Sequence, residues 1–257
     1  MNKKYIRLNE ITAYLNINNA ATIKDLAEKF DVSLMTIRRD LEQLEKMNVV
    51  KLIHGGVIFN PVDTSSNKNY SLPNAESQKI EEKIRIGKKA SALLTLNDIL
   101  IIDTGSTTEY AAQFIPNEMP LTILCYALNI LTRITKKQNC RLIFGGGLYH
   151  ENSLMFESPE GLSIIKRNRA TKAFISASGI NDKLGVTCSN HYESATKQAI
   201  MESSQIKFLL VDSSKFGKVN SDYFAEIDDF DVIITDHGIP EEYLSLIKEK
   251  GVQYYIV

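Results

Sequence analysis

Apolar side chains recur every three or four residues in the N-terminal part of the chain, which is the spacing of a buried helix face. A first helix is predicted over about residues 5–16, and its apolar positions are Leu8, Ile11 and Leu15. Thr22 and Asp25 predict the start of a second, short helix, because a threonine followed three residues later by an acidic residue resembles a capping box. This helix is expected to end near Phe30.

A third helix is predicted to begin after Ser33, a residue type that favours the N-cap position. Its apolar face should pack on the first two helices, and it consists of Leu34, Ile37, Leu41 and Leu44. The opposite face is expected to meet solvent, and it consists of Met35, Thr36, Arg39 and Gln43, with Arg38 at its border. Two adjacent arginines near the exposed start of a helix indicate a DNA-binding role. A recognition helix enters the major groove with its N-terminal residues. The alternative is a small helical interaction domain with solvated arginines.

Two short apolar runs, residues 49–53 and 57–58, flank the sequence His54-Gly55-Gly56. Strands on either side of a Gly-Gly turn form a hairpin, and Asn48 tolerates the left-handed backbone that ends a helix. Three helices followed by a hairpin predict a winged helix-turn-helix over residues 1–58.

Farther along the chain, apolar runs alternate with amphipathic helical stretches, which is typical of an α/β domain. The predicted strands cover residues 99–102, 121–125, 141–144, 173–176, 208–211 and 232–235. A polar stretch with two prolines and no periodicity precedes these strands. Residues 59–75 are therefore interpreted as a linker, and residues 76–257 as the α/β domain.

Loops after the predicted strands contain the candidate chemistry. Residues 103–108, Asp-Thr-Gly-Ser-Thr-Thr, stand between a strand and a helix, where N–H groups and hydroxyls surround an anion. An ordinary capped turn is the alternative, since the loop matches neither the Walker A nor the dinucleotide pattern. Gly145-Gly146-Gly147 permits close approach of the backbone, and Lys215 follows a strand end where a cation meets a phosphate. Glu193 and Lys197 share a helix face, either as a surface ion pair or as part of a ligand site.

The composition restricts the class of protein. The chain has 257 residues, with 30 Lys and Arg against 31 Asp and Glu, and 44% of its residues are hydrophobic. These values exclude a wholly disordered protein, and no apolar run approaches the roughly 18–20 residues of a membrane span. Three scattered cysteines and three separated histidines (His150, His191 and His237) favour neither a disulfide framework nor a metal site. Because the N-terminus also lacks the apolar core of a secretory signal, we expect a soluble cytoplasmic protein without cofactor, metal or membrane partner.

Residues 32–41, Val-Ser-Leu-Met-Thr-Ile-Arg-Arg-Asp-Leu, together with His54-Gly55-Gly56, resemble the DNA-binding domain of DeoR-type bacterial transcription regulators. The resemblance implies that Ser33, Thr36, Arg38 and Arg39 contact operator DNA and that Asp40 orients an arginine. The complete set of DNA-binding candidates is Thr22, Ser33, Met35, Thr36, Arg38, Arg39, Lys51 and His54. The wing departs from the family pattern because Lys51 is followed by Leu52 rather than by a second basic residue. One phosphate contact is therefore expected to be missing.

Motifs of the second domain resemble the effector domain of the same regulators, so the resemblance runs from about residue 5 to about residue 237. They are Asp103-x-Gly105-Ser106-Thr107-Thr108, Gly146-Gly147, Gly185-Val186-Thr187, Glu193 with Lys197, and Asp212-x-x-Lys215-Phe216-Gly217. The resemblance implies a fold similar to that of ribose-5-phosphate isomerase and a phosphorylated sugar as effector. The expected effector-binding residues are Asp103, Gly105, Ser106, Thr107, Thr108, Tyr126, Gly146, Gly147, Glu193 and Lys215.

The segment Cys125-Tyr126-Ala127-Leu128-Asn129 is most similar to family members that control deoxyribonucleoside operons. That similarity implies deoxyribose 5-phosphate as the effector. A tyrosine facing the sugar should favour a ring with fewer hydroxyls, because a hydroxyl without a partner is penalised.

The expected function is a transcriptional repressor that binds palindromic double-stranded DNA as a homo-oligomer and is released by a phosphorylated sugar. The alternative from a different class is a sugar-phosphate isomerase with an appended DNA-binding head. A nucleic-acid-binding module with an inert second domain is a more distant alternative.

Overall fold

The computed structural model describes residues 3–59, 71–72 and 77–257 of the chain. The first of these ranges folds into α1 (Lys3–Asn18), β1 (Ala20–Thr22), α2 (Ile23–Lys29), α3 (Leu34–Lys46), β2 (Val50–Ile53) and β3 (Gly56–Phe59). The strands form an antiparallel sheet in the order β1-β3-β2. The predicted winged helix-turn-helix is confirmed, with β1 as a third strand that is too short to give a periodic pattern.

The three helices share one apolar core with the wing strands, and its members include Leu8, Ile11, Leu15, Leu26, Ile37, Leu41, Leu44, Val50 and Val57. The prediction was wrong for Leu34, whose side chain is 53% exposed. Leu34 is the first residue of α3, and the core begins one turn later, at the fully buried Ile37.

The wing turn also differs from the prediction. His54 and Gly55 alone form the turn, and Gly55 takes a φ of 75°, in the left-handed region. Gly56 is the first residue of β3 and pairs with Ile53. A Cβ atom on Gly56 would lie 2.6 Å from the Ala21 carbonyl oxygen, so the approach of β1 requires glycine here.

Within residues 77–257, seven strands form one parallel sheet. They are β4 (Ile99–Ile102), β5 (Leu121–Cys125), β6 (Cys140–Phe144), β9 (Ala170–Ile175), β12 (Ser204–Leu210), β14 (Val232–Thr235) and β15 (Gln253–Ile256). The sequence predicted all of these except β15. That edge strand has partly exposed side chains, and its apolar run, residues 254–257, is short.

Shorter strands build two accessory sheets in the same range. A ribbon pairs β7 (Leu148–His150) with β8 (Met155–Glu157), and an antiparallel sheet joins β10 (Gly179–Asn181), β11 (Gly185–Cys188) and β13 (Asp222–Ala225). None of these strands was predicted, because each is too short for its pattern to be recognised.

Helices cover both faces of the large sheet. They are α4 (Ile80–Ala92), α5 (Ser106–Phe114), α6 (Leu128–Ile134), α7 (Pro159–Arg167), α8 (His191–Ser203) and α9 (Glu241–Glu249). Ile86, Ala111 and Ile130 bring α4 to α6 into the core on one face, and Ile165, Ile200 and Ile247 bring α7 to α9 into the core on the other. Burial on both faces explains the continuous apolar runs of the central strands.

The strand order creates a crevice. The sheet is ordered β15-β14-β12-β9-β4-β5-β6. The chain builds one half outward from β4 to β6 and then returns to β9 to build the other half. Because the connections after β4 and β9 leave in opposite directions, the carboxyl ends of these two strands are where a sheet of this kind forms its ligand crevice.

Most of the predicted linker, residues 59–75, lies outside the described residues. Phe59 belongs to β3, and Leu72 is buried. The domain boundaries at residues 58 and 75 therefore stay predictions.

Candidate functional site

The start of α3 presents the predicted DNA-facing residues. The Ser33 hydroxyl accepts a hydrogen bond from the Thr36 N–H at 3.2 Å and caps the helix as predicted. Met35, Arg38 and Arg39 are exposed, and neither guanidinium has a hydrogen bond or ion pair with any described residue. The arginines are therefore free to bind phosphates or base edges.

A partly buried ion pair joins this helix to α1. The Asp40 carboxylate is buried and accepts a hydrogen bond from Arg7 Nε at 2.6 Å. The hydrogen bond to Asp40 raises the pKa of Arg7. Asp40 thus orients an arginine, as expected, but the arginine lies on α1 rather than in the recognition helix.

The remaining DNA-binding candidates lie elsewhere in the winged helix-turn-helix domain, which we call the head. The Thr22 hydroxyl caps α2 by accepting the Asp25 N–H at 3.0 Å. Lys51 and His54 are exposed on the wing, where they line a groove of about 730 Å³ that faces the α/β domain. Across this groove the rings of His54 and Tyr223 have centroids 6.1 Å apart. These three residues therefore lie outside α3, at the start of α2 and on the wing.

In the second domain, the polar residues that follow β4, β5 and β9 meet at the crevice. Asp103 is completely buried and accepts hydrogen bonds from the Tyr126 hydroxyl, from the Ser176 N–H at 2.9 Å and from the Lys197 ammonium. Lys197 is placed there by α8, which also contributes Glu193. We call these five residues, Asp103, Tyr126, Ser176, Glu193 and Lys197, the Asp103 cluster.

The charges of this cluster are held away from water. Lys197 is 1% exposed and Glu193 is 4% exposed, with 3.8 Å between the Lys197 Nζ and a Glu193 carboxylate oxygen. The alternative of a surface ion pair is therefore wrong. Burial lowers the pKa of Lys197, but Asp103 and Glu193 outweigh it, so the net shift is upward. Burial raises the pKa of Glu193, and the attraction of Lys197 offsets this only in part.

The N-terminus of α5 forms the second wall of the crevice. Gly105 precedes it with a φ of 152°, and a Cβ atom there would lie 2.5 Å from the Ser176 hydroxyl oxygen. The hydroxyls of Ser106 and Thr107, in the first helical turn, have no hydrogen-bond partner among the described residues. N–H groups of a first turn have no partner within the helix. This wall therefore offers donors to an anion.

Asn129 on α6 adds an unpartnered acceptor to this wall. Its amide nitrogen donates to the Gly105 carbonyl oxygen at 3.2 Å. Its oxygen Oδ1 is buried and has no hydrogen-bond partner among the described residues. An unsatisfied buried oxygen is costly, and a sugar hydroxyl would satisfy it.

A hydrogen-bond network connects the Asp103 cluster to the end of the predicted linker. Asn190 donates to Glu193 and accepts from Asn152 at 3.0 Å, and the Tyr192 hydroxyl donates to Asn152 at 2.7 Å. The Leu72 N–H donates to the Asn152 carbonyl oxygen at 2.7 Å, and the Leu72 side chain is fully buried. Residues that contact the cluster thus hold the chain segment that leads to the head.

Three other residues predicted for the effector site, Gly146, Gly147 and Lys215, have no hydrogen bond with the Asp103 cluster. Gly146 is exposed. Gly147 takes a φ of 144°, and a Cβ atom there would lie 2.1 Å from the Glu157 carbonyl oxygen, so the approach of β8 requires glycine at this position. Lys215 lies in a short 3₁₀ turn after β12, and its ammonium has no hydrogen bond or ion pair with any described residue. Burial lowers the pKa of Lys215.

Sequence reasoning missed Ser176 and Asn129 and did not choose Lys197 as a binding residue. Ser176 ends a predicted strand, so its position after β9 could have identified it as a candidate binding residue. For Lys197 the spacing from Glu193 left a ligand role as one of two alternatives, and Asn129 stood in the segment after β5. Their role depends on which helices border the crevice, which the sequence pattern does not give.

The described residues contain no group of three histidine, cysteine, aspartate or glutamate side chains arranged to hold a metal ion. None of the described helices combines the length and the apolar character that crossing a bilayer requires.

Comparison with known proteins identifies both parts of the chain. Residues 7–62 match the DeoR-like helix-turn-helix domain, and residues 78–237 match the DeoR C terminal sensor domain. The chain is 31% identical over 247 residues to the deoxyribose operon repressor of Escherichia coli (strain K12), which covers 96% of each protein. It is 32% identical over 255 residues to the lactose phosphotransferase system repressor of Staphylococcus epidermidis (strain ATCC 35984), which covers 98% of each.

Solved structures show a weaker likeness. Ribose 5-phosphate isomerase A from Methanocaldococcus jannaschii has a TM-score of 0.39 at 14% identity, over 52% of this chain and 53% of that chain.

The matched relatives extend over nearly the whole chain and are named repressors, so the chain is a DNA-binding regulator and not an enzyme. The exposed arginines of α3 lie within the first matched domain, and the Asp103 cluster lies within the second. The chain therefore belongs to the DeoR family of transcriptional regulators.

Proposed function

We propose that this repressor of a sugar-related operon is released from its operator by deoxyribose 5-phosphate, which binds in the crevice between the Asp103 cluster and the N-terminus of α5. The observation that carries the proposal is the buried group of two carboxylates and one ammonium, Asp103, Glu193 and Lys197, at the carboxyl ends of the central strands. Buried charges cost free energy, and their placement at the crevice favours a polar ligand over a purely structural role.

Double-stranded operator DNA is the first partner. Arg38 and Arg39 are exposed, unpaired and close to the N-terminus of α3, which is the end of a recognition helix that reaches base edges. Ser33, Thr36 and Met35 share this end of the helix, while Thr22, Lys51 and His54 are assigned to contacts with the DNA backbone. A homo-oligomer would place two heads on the half-sites of a palindrome.

The phosphate of the effector is assigned to the N-terminus of α5. The N–H groups of Ser106, Thr107 and Thr108 and the free hydroxyls of the first two donate towards an anion there. Asn129 is assigned to a sugar hydroxyl through its unpartnered oxygen. Asp103 already accepts hydrogen bonds from its neighbours, so it positions Lys197 and Tyr126 rather than holding the phosphate.

Lys215, which follows β12 on the other side of β9 from β4, is also assigned to the phosphate. Its ammonium is half-buried, has no partner among the described residues and has a lowered pKa because of burial. An anion would stabilise its charged form. Gly146 and Gly147 are retained as lining residues of the effector site because they follow β6 at the same edge of the sheet.

The choice of deoxyribose rests on Tyr126. Its hydroxyl is buried and donates to Asp103, so it occupies a position at which a carboxylate would otherwise accept a sugar hydroxyl. A ribose hydroxyl at this position would be left without a partner, and such a hydroxyl is penalised. The similarity to a protein named deoxyribose operon repressor supports the same choice.

Release requires two states that bind the effector differently. The charged groups of the Asp103 cluster are buried, so an effector that contacts them must bind a more open arrangement of α8 and the loop that carries Asn152. Because Asn152 also holds Leu72, opening would change how the linker is attached. Coupling between two such sites is typically about 1–3 kcal/mol, which is roughly 5- to 150-fold in affinity.

The test is fluorescence anisotropy with the full chain on labelled DNA from the region upstream of its own gene. The complex is titrated separately with deoxyribose 5-phosphate, ribose 5-phosphate and fructose 6-phosphate. We expect release by deoxyribose 5-phosphate alone. Release by another sugar phosphate would refute the effector but not the regulator, and an absence of specific DNA binding would refute the whole proposal.

A matched pair of variants tests the binding site. Lys215→Met should raise the effector concentration needed for release by roughly 10- to 100-fold, the loss of one hydrogen bond to a charged group. Lys218→Met, three residues away on an exposed position, should leave it unchanged. Equal effects of the two variants would remove Lys215 from the site.

A further inference from the structure

The recognition helix begins with two exposed apolar side chains. Leu34 is 53% exposed and Met35 is 58% exposed, and they are the first two residues of α3. Exposed leucine and methionine side chains carry an unfavourable hydration free energy that burial against a partner would recover. Their position at the end of α3 that enters a DNA groove favours a role in the complex over a role in the free protein.

Each apolar side chain is aligned with an arginine. Leu34 and Arg38 are four residues apart, and so are Met35 and Arg39, so each pair forms a stripe along one side of the helix. Neither arginine has an ion pair with any described residue. A surface that joins apolar groups to two free cations is complementary to a polyanion that also carries small apolar groups.

DNA presents such groups in the major groove. Among the base edges there, only thymine displays an apolar group, its C5-methyl, beside hydrogen-bond acceptors and phosphates. We propose that Leu34 and Met35 contact thymine methyl groups and thereby specify A·T pairs in the operator half-site. This inference rests on the proposed binding of operator DNA by α3 and names the bases that the helix selects.

The geometry of the helix also sets the spacing. Four helical residues rise about 6 Å, and successive bases lie about 3.4 Å apart along a strand. The thymine read by Leu34 is therefore about two base steps from the base or phosphate bound by Arg38. The same spacing applies to Met35 and Arg39, so a half-site is expected to combine thymines with arginine-contacted positions two steps away.

The test removes the methyl groups without changing the base-pairing edges. The upstream DNA fragment is amplified once with thymidine triphosphate and once with deoxyuridine triphosphate, and the affinity of the full chain for each fragment is measured. Burying one methyl group is worth about fourfold in affinity, so uracil-containing DNA should bind at least about 16-fold more weakly if both heads bury one methyl each.

Single variants convert this comparison into a double-mutant cycle. Leu34→Ala and Met35→Ala preserve the helix, since alanine has the highest helix propensity. Each should weaken binding to thymine-containing DNA and have a much smaller effect on uracil-containing DNA. Leu96→Ala, which removes an exposed leucine from the α/β domain, should affect neither fragment.

The cycle separates the inference from the proposed function. Equal losses on both fragments would overturn the inference, because the apolar contact would then be with something other than a methyl group. Sedimentation analysis of Leu34→Ala would show whether that partner is a second copy of the chain. Full affinity of wild-type protein for uracil-containing DNA would also overturn the inference while leaving operator binding intact.

Discussion

Replacement of Lys197 by methionine is the most informative perturbation of the α/β domain. The Lys197 ammonium lies between Asp103 and Glu193, and all three side chains are buried. Methionine preserves most of the volume and removes the charge. The variant therefore leaves two carboxylates in the interior without their cation.

The expected cost follows from this geometry. Breaking a buried ion pair by removing one partner costs about 3–5 kcal/mol, against a total stability of about 5–15 kcal/mol for a domain. The free energy of unfolding of the α/β domain should therefore fall by about 3–5 kcal/mol near pH 7. The head should be unaffected, because the cluster lies entirely within the other domain.

The loss should depend on pH with a definite sign. Burial raises the pKa of Glu193, and Lys197 acts against this rise. Without Lys197 the pKa of Glu193 rises further, so the folded state binds this proton more tightly than the unfolded state does. Stability then falls as the pH rises through the raised pKa. Lys197→Met should consequently be less destabilising at about pH 5.5 than at about pH 8.

The assay is urea unfolding followed by far-ultraviolet circular dichroism, because the chain has no tryptophan. Lys250→Met is the control, since Lys250 forms a partly exposed pair with Asp228. Exposed pairs contribute about 0–1 kcal/mol, and little change is expected in the control. A loss below about 1 kcal/mol for Lys197→Met, or an equal loss at both pH values, would refute the view that the buried charges depend on one another.

Three further predictions concern the DNA-binding head and the effector site. Arg39→Ala should weaken operator binding at least about tenfold, the loss of a charged contact, while effector binding measured by calorimetry is unchanged; equal loss of both would indicate misfolding. Arg7→Met should lower the stability of the head by about 1–3 kcal/mol, because Asp40 would be left as an unpaired buried carboxylate, and a calorimetric scan should show the α/β transition unshifted. Tyr126→Phe removes the hydroxyl that donates to Asp103 and should reduce the preference for deoxyribose over ribose 5-phosphate, and an unchanged ratio of the two release concentrations would contradict the assignment.

The helix starts in the head were predictable because the capping contacts that define them join residues close in sequence. The caps at Thr22 and Ser33 act within three residues, and both were predicted. The exposure of Leu34 was not, because helical spacing identifies a face but does not say at which turn the core begins.

The effector site was predictable only in part. Asp103 and Tyr126 follow apolar strands, so the sequence placed them at strand ends, where ligands bind in an α/β sheet. Asn129 and the buried state of Lys197 were not predictable, since Lys197 and Asp103 are 94 residues apart and meet only through the strand order.

The sequence by itself thus determined the two-part architecture, the family and the exposed arginines of the recognition helix. These features depend on helical periodicity, caps and motif strings, which act over a few residues. The tertiary structure alone decided that Glu193 and Lys197 form a buried pair with Asp103 rather than a surface salt bridge. The same spacing of four residues fits both arrangements, and only the packing of α8 over the central strands removes the pair from water.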